Sequence, residues 1–254
     1  MKTAFLITAR LKSTRLPKKI LLEVAGKPLI VHMLDRIKRA LTIDKIIICT
    51  STNPQDDPLE EIAGQEQVSC FRGSEEDVLV RLLEAAQSHG LKYFSNITAD
   101  CPMMDPVLID RAVMEYQKTD VDLLKFDDSN DDIPFCCYVV KVSALEQVCL
   151  HKKETDTEVW LKYFTSNLEI NIQNIVVEDK YKHKTLKTSL DYPEDYKFIK
   201  YVFAELHQPG TTFSMLDIID LVKKRPDILS INANAILTRR WLHHRQTSQK
   251  SIIK

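Results

Sequence analysis

Glycine is scarce in this sequence, with five residues among 254, where average usage would give roughly 18. Neither the GxGxxG pattern of dinucleotide-binding loops nor the GxxxxGK[ST] pattern of Walker-type phosphate loops occurs. The usual Rossmann dinucleotide site and the Walker loop are therefore excluded. Any phosphate that this chain binds has to be held by side chains rather than by a glycine-rich backbone nest.

The chain also lacks an excess of charge and any long apolar run. Lys and Arg number 35 against 36 Asp and Glu, which argues against bulk binding of nucleic acid. No apolar run approaches the ~20 residues of a membrane-spanning helix. The apolar run near the N-terminus is shorter than the roughly 7–15 residues of a signal-peptide core. We expect a cytoplasmic protein that binds neither membrane nor nucleic acid.

The six cysteines show no CxxC spacing, and Cys49, Cys70 and Cys149 lie in apolar runs. Buried reduced thiols fit this distribution better than a zinc site or a disulfide framework.

Strand-like and helix-like segments alternate through the first 125 residues. This alternation with short connections predicts an α/β fold, a mainly parallel sheet with helices on both faces. The helix starts carry capping signals, with Asp57 and Ser74 expected as caps of two helices and Asp105-Pro106 opening a third. The predicted strands are Ala4–Thr8, Lys45–Thr50, Tyr93–Ile97 and Val121–Phe126.

The alternation of strand-like and helix-like segments becomes less regular after residue 127. We expect one domain over residues 1–254, in which 127–185 forms a less regular lobe for acceptor binding or dimerisation. Residues 239–254 read as a polar, basic tail. The expected elements in this half are helices over Ser143–Leu150, Thr155–Phe164, Pro193–Leu206 and Ser214–Lys223, and a strand over Leu168–Val177.

A basic loop follows the first predicted strand. Residues 10–19 contain five cations, Arg10, Lys12, Arg15, Lys18 and Lys19, together with hydroxyl residues. Ligands of open α/β sheets bind beyond the carboxyl ends of the strands, and Arg and Lys side chains bind phosphate oxygens. The loop is therefore a candidate triphosphate site; a solvated basic loop is the alternative.

Two aspartates lie next to proline turns at predicted strand ends. Asp100 follows the Tyr93–Ile97 strand, and Asp191 precedes the helix that Pro193 opens. Mg²⁺ commonly takes one or two carboxylates plus substrate phosphates, so both residues are candidate magnesium ligands. Either could instead be an ordinary turn residue, and the local sequence leaves both readings open.

Four segments occur in the order that one family shares: 7–19, 71–79, 97–102 and 190–195. They contain IleThrAlaArg with SerThrArgLeuProLysLys, then PheArgGlySerGluGluAspValLeu, IleThrAlaAspCysPro and LeuAspTyrProGluAsp. In this the chain resembles the cytidylyltransferases that activate acidic sugars, which include CMP-Kdo and CMP-sialic acid synthetases, and it is most similar to their SpsF branch. The resemblance implies the Rossmann-like fold of nucleotide-diphospho-sugar transferases.

The resemblance also implies residue roles. The catalytic residues would be Arg10, Lys19 and Asp100, and Asp100 and Asp191 would bind Mg²⁺. Glu158 is the one matching acceptor-binding position, and a homodimer is implied. The nucleotide would be bound by Thr8, Ala9, Arg10, Ser13, Arg15, Lys19, Thr50, Ser51, Arg72 and Ser74.

The function that the resemblance implies is transfer of CMP from CTP to an acidic sugar, with release of pyrophosphate, for surface polysaccharide synthesis. A phosphorylated or phosphonate acceptor is one alternative, and a non-catalytic nucleotide-binding protein or a glycosyltransferase is another. The chain departs from the family where Lys12 and Lys18 stand at positions that are usually glycine or alanine.

Overall fold

A seven-stranded sheet runs through the computed structural model of the chain, which describes residues 2–165 and 169–234. The strand order is β5-β4-β1-β6-β8-β7-β9, and β8 is antiparallel to both of its neighbours while the other pairs are parallel. The predicted mainly parallel α/β fold is confirmed. The strands are β1 Ala4–Thr8, β2 Glu23–Val24, β3 Lys27–Pro28, β4 Lys45–Ser51, β5 Ser69–Gly73, β6 Tyr93–Thr98, β7 Leu123–Phe126, β8 Tyr138–Lys141 and β9 Ile172–Ile175, with β2 and β3 forming a separate hairpin.

Helices cover both faces of the sheet. The helices α1, α2, α4, α7 and α8 contribute to the apolar cluster on one face, and α3, α5 and α6 contribute to the cluster on the other. None of the described helices is long and apolar enough to cross a membrane. The helices are α1 Leu29–Ile37, α2 Asp57–Gln65, α3 Val78–Ser88, α4 Pro106–Tyr116, α5 Val142–His151, α6 Leu161–Phe164, α7 Pro193–Leu206 and α8 Met215–Lys224.

The central strand β1 is apolar on both sides because both faces of the sheet are covered. Phe5 and Ile7 belong to the cluster under α1, whereas Ala4 and Leu6 belong to the cluster under α3, and all four are fully buried. The sequence of β1 therefore shows a continuous apolar run rather than an alternation of apolar and polar residues.

Two predicted helix caps are wrong. The helix α2 begins at Asp57, one residue early, and the carboxylate of the cap residue Asp56 binds Leu11 N (2.7 Å) and Ser51 Oγ (2.5 Å) instead. The helix α3 begins four residues after Ser74, because Asp77 caps it by accepting a hydrogen bond from Val80 N. The Ser74 hydroxyl accepts a bond from Asp77 N in the preceding turn.

The segment 127–185 contributes to the main sheet, since β8 inserts between β6 and β7, and β9 closes the edge. The predicted helix over Thr155–Phe164 forms only over its last four residues. Its first part forms bends and a turn instead, where the Thr157 hydroxyl donates to Asp77 and accepts from Leu79 N. The predicted strand over Leu168–Val177 forms at Ile172–Ile175, residue 168 lies outside the described residues, and so does the basic tail 239–254.

All six cysteines are free thiols, as the sequence predicts, but only Cys49 and Cys137 are fully buried, whereas Cys70 and Cys149 are half-buried. Burial raises the pKa of Cys70 and of Cys149 to about 11, so both thiols stay protonated near neutral pH.

Candidate active site

A cavity opens where β1 and β6 end side by side. Thr8 and Thr98 are partners in the parallel register, so the loops that follow them leave the sheet at the same edge. These loops carry the predicted basic segment and Asp100, and such an edge is where open α/β sheets bind ligands. The cavity is lined by Thr8, Arg10, Lys12, Ser13, Lys19, Ile20, Val78, Thr98, Ala99, Asp100, Glu158 and Trp160.

The ammonium group of Lys19 lies between the two predicted metal-binding aspartates. Its Nζ is 3.0 Å from Asp100 Oδ2 and 3.2 Å from Asp191 Oδ1, and it donates a third bond to the Leu190 carbonyl at 2.5 Å. The distance between Asp100 Oδ2 and Asp191 Oδ1 therefore cannot exceed the sum of these two Nζ–oxygen distances. Three segments that are distant in the sequence converge on one cation.

The orientation of Asp100 is fixed from two sides. The Thr98 hydroxyl donates to Oδ1, while Lys19 binds Oδ2. The backbone carbonyl of Asp100 accepts a bond of 2.8 Å from Leu190 N, which ties the end of β6 to the turn before α7.

Asp191 is also bound by Lys187, through the carboxylate oxygen that Lys19 does not contact. The sequence analysis did not identify Lys187. Lys187 Nζ is 3.2 Å from Asp191 Oδ2 and forms a closer ion pair with Asp195, and the Lys187 side chain is only 2% exposed. Asp195 in turn accepts bonds of 2.9 Å from the backbone N–H groups of Asp191 and Tyr192. The capping pattern at α7 could have indicated Asp195, but no local signal distinguishes Lys187 from a surface lysine.

The charges in this cluster stabilise one another. Burial alone would raise the pKa of Asp191, but Lys187, Lys19 and Arg15 outweigh it and lower the pKa to about 2. Burial likewise opposes the charge on Lys19, but Asp100 and Asp191 raise its pKa above the ordinary value. Asp191 and Lys19 are therefore both charged at neutral pH.

Arg10 lines the same cavity as Lys19 and Asp100, and Arg15 pairs with Asp191. Arg10 donates to the Glu75 carbonyl at 2.7 Å and lies 3.4 Å from Glu158, the predicted acceptor-binding residue. Arg15 is 3.2 Å from Asp191 and donates to the Tyr192 hydroxyl at 3.4 Å. Arg10, Ser13, Lys19, Asp100 and Glu158 thus line one cavity, whereas Arg15 reaches the same cluster from its exposed side.

Other predicted nucleotide-binding residues do not line the cavity. Thr50 and Ser51 are fully buried, and Ser51 bonds Asp56. The Arg72 guanidinium binds the α2 carboxylates Asp57 (2.6 Å) and Glu60 (2.9 Å). Ala9 is buried beside Thr8, and Ser74 bonds Asp77 in the turn before α3.

The donor set fits Mg²⁺ rather than a metal enclosed by protein ligands. Among the residues that the structure describes, no group of three or more His, Cys, Asp or Glu side chains could hold a metal ion. Asp100 and Asp191 offer two carboxylates near a cationic loop, and Mg²⁺ is commonly bound by one or two carboxylates together with water and substrate phosphates. These two residues would hold the ion jointly with a nucleotide.

The fold and the site define an α/β nucleotidyltransferase. The sequence model of the cytidylyltransferase family matches residues 4–208. The chain belongs to the cytidylyltransferase family, and it is a CTP-dependent nucleotidyltransferase. The resemblance noted from the four sequence segments is thereby confirmed.

Relatives match the chain over most of its length. The uncharacterized protein MJ1063 of Methanocaldococcus jannaschii is 28% identical over 236 residues, 92% of this chain and 96% of that protein. The spore coat polysaccharide biosynthesis protein SpsF of Bacillus subtilis is 25% identical over 233 residues, 88% of this chain and 95% of that protein. The solved structure of a cytidylyltransferase from Leptospira borgpetersenii is similar with a TM-score of 0.81 and 26% identity, covering 90% of this chain and 97% of that one.

Proposed function

We propose that the protein transfers CMP from CTP to an acidic sugar of the ulosonic or nonulosonic acid type. An acceptor hydroxyl oxygen attacks the α-phosphorus in line, the bond from the α-phosphorus to the bridging oxygen breaks, and pyrophosphate leaves with that oxygen. The hydroxyl proton passes to solvent. The observation that carries this proposal is the convergence of Lys19, Asp100 and Asp191 beside the cationic loop.

The protein has little covalent chemistry to perform in such a reaction, so positioning and electrostatics dominate. Arg10, Ser13 and Arg15 bind the triphosphate, and Lys19 stabilises the charge that develops on the α-phosphate and the leaving group. Mg²⁺, held by Asp100 and Asp191, would polarise the phosphate and lower the pKa of the acceptor hydroxyl.

The cytosine and ribose lie on the side of Thr8 and Ala9 in this proposal. Thr8 lines the cavity and Ala9 follows it at the end of β1. Thr50, Ser51, Arg72 and Ser74 were predicted from the family resemblance, and a direct role for their side chains would require a rearrangement of the contacts described above. The nucleoside is therefore assigned to the β1 edge of the cavity.

In this proposal the acceptor lies against Glu158 and Trp160. Both residues line the cavity, and the Glu158 carboxylate can accept hydrogen bonds from sugar hydroxyls. Arg10 and Lys12 face the same space and favour an anionic acceptor. The relation to SpsF supports a place in surface polysaccharide synthesis. The segment 127–185, which contains Glu158 and Trp160, is proposed to contribute to acceptor binding or to a homodimer contact.

A phosphorylated acceptor is the second candidate, because the cationic side chains on the cavity wall suit a phosphate as well as a carboxylate. The two candidates are separated by a pyrophosphate-release assay with each nucleoside triphosphate, Mg²⁺, and matched panels of sugar acids and sugar phosphates. We expect release with CTP and a sugar acid. Release only with sugar phosphates would replace the first candidate by the second, and tight CTP binding without release would contradict both.

The variant Asp100→Asn tests the site itself. Loss of this charge should reduce kcat by about 100- to 1000-fold, roughly 3–4 kcal/mol by analogy with other charge-stabilising groups, while the urea midpoint of unfolding changes little. Asp35→Asn is the matched control, because Asp35 pairs with Lys27 on the surface and does not line the cavity among the residues that the structure describes. Near-normal turnover of Asp100→Asn would overturn the assignment.

A further inference from the structure

The Lys19 ammonium occupies the space between the carboxylates that are proposed to bind Mg²⁺. An ion that takes both Asp100 and Asp191 as ligands has to lie between them, where Nζ now contacts both at 3.0 and 3.2 Å. The Lys19 side chain is only 14% exposed, so it fills this space rather than crossing its entrance.

Lys19 also has no free donor in this arrangement. An ammonium group has three N–H bonds, and the three contacts of Nζ are with Asp100, Asp191 and the Leu190 carbonyl. Lys19 can therefore donate to a phosphate oxygen only after it gives up at least one of these partners. The position seen here and the phosphate-binding position are two alternative positions of one side chain.

We propose that Lys19 and the divalent cation exchange places during substrate binding. In the nucleotide-free protein, Lys19 neutralises the carboxylate pair and excludes the cation. When the metal and nucleotide arrive together, the lysine moves to the phosphate and the cation takes the carboxylates. Lys19 is thus a positioning residue for the carboxylate pair as well as a phosphate ligand, and the metal binds efficiently only with the nucleotide. This inference rests on the proposed use of both aspartates as metal ligands.

Electrostatics makes the two occupants mutually exclusive. A divalent cation and an ammonium group within a few ångströms repel each other strongly at the low effective dielectric of a partly buried site. Each group alone is attracted by the two carboxylates. Asp191 does not lose all its neutralisation in the exchange, because Lys187 keeps its contact with Oδ2 at 3.2 Å. The remaining cost falls on Asp100, whose ion pair among the described residues is with Lys19 itself.

The exchange makes an unusual prediction that a direct metal titration tests. Mn²⁺, followed by the loss of its free electron paramagnetic resonance signal, is titrated into the nucleotide-free protein. Wild-type protein should bind Mn²⁺ weakly. Lys19→Met, which removes the ammonium but keeps most of the side chain, should bind it at least ten-fold more tightly although a phosphate-binding residue has been lost. Lys19→Gln gives a second neutral variant should the first fail to fold.

Three further variants locate the effect. Lys19→Arg keeps the positive charge and should stay as weak as wild type. Lys12→Met removes a cation of the same loop that contacts Glu75 and Glu76 instead of the aspartates, so its Mn²⁺ affinity should not change. The double variant Lys19→Met with Asp100→Asn should lose the gain, because one of the two ligands has gone.

The outcomes separate this inference from the proposed function. Equal Mn²⁺ affinity of wild type and Lys19→Met would overturn the exchange while leaving the metal site in place. If no variant binds Mn²⁺ even with CTP present, the proposed metal site fails and the exchange fails with it. A ten-fold gain in Lys12→Met would overturn the exchange as well, by reducing it to a general effect of loop charge.

Discussion

The backbone N–H of Leu190 donates a hydrogen bond of 2.8 Å to the carbonyl of Asp100. This single bond joins the loop after β6 to the turn before α7, and it sets the two aspartates of the site beside one another. Lys19 then bridges Asp100 to Asp191 through its ammonium group. The geometry of the site therefore depends on a backbone contact between segments that no local sequence pattern links.

The buried lysine behind Asp191 should be important for stability. Lys187→Met removes the buried cation that pairs with Asp195 and one of the three cations that contact Asp191. The expected cost is about 3–5 kcal/mol, the range for breaking one side of a buried ion pair. Urea denaturation measures it. Lys182→Met removes an exposed pair with Asp179 and should cost less than about 1 kcal/mol. Equal losses in the two variants would show that Lys187 is not a structural cation.

The lysine before Lys19 has a strained backbone. Lys18 has φ 52° and ψ 30°, the left-handed conformation that favours glycine, at a position where the family usually carries glycine. Lys18→Gly should therefore raise the free energy of unfolding by up to about 1 kcal/mol. Lys18→Ala is the control, since it removes the charge but keeps the strain. If both variants gain equally, the charge and not the backbone is responsible.

A buried histidine should make the stability depend on pH. Burial lowers the pKa of His32 below its ordinary value of 6.5, and its Nε2 donates to the Val24 carbonyl at 2.6 Å. Below pH 6.5 the unfolded chain then binds more protons at this residue than the folded protein does. The contribution of neutral His32 to the free energy of unfolding is thus complete above pH 6.5. It is lost as the pH falls through the lower pKa that His32 has in the folded protein.

Denaturation curves at intervals between pH 7.5 and 5 test this prediction. Wild-type stability should fall over that interval, and His32→Gln should show a smaller fall, whatever its absolute stability. His151→Gln is the control because His151 is exposed at the end of α5. A pH dependence that is the same in wild type and His32→Gln would contradict the assignment.

Glu158 tests the acceptor side of the cavity. Its carboxylate is 72% exposed and lies 3.4 Å from Arg10. Glu158→Gln should raise the KM for the acceptor several-fold, because a charged hydrogen-bond acceptor for sugar hydroxyls is lost, and should leave the KM for CTP within two-fold. Initial rates with each substrate varied separately give both constants. A change confined to the KM for CTP would show that Glu158 acts on the nucleotide through Arg10 instead.

The sequence could predict that the cationic loop and Asp100 lie at one edge of the sheet, because these signals are local. A cationic loop follows an apolar strand at Ala4–Thr8, and Asp100 follows another at Tyr93–Ile97, so the parallel fold places both at one edge. Helix ends were less predictable. Ser74 and Asp77 are both good capping residues. Asp77 is the one that caps α3, because Lys152 and Thr157, from a distant segment, bind its carboxylate.

The amino-acid sequence by itself determined the alternation of strands and helices, the positively charged loop and the family, because periodicity and short motifs are properties of neighbouring residues. Only the tertiary structure decided that Lys19 lies between Asp100 and Asp191, that Lys187 is buried behind them, and that Arg72 turns to α2. The physical reason is that a charged side chain takes the opposite charges nearest to it in space, and folding chooses those partners from segments far apart in the chain.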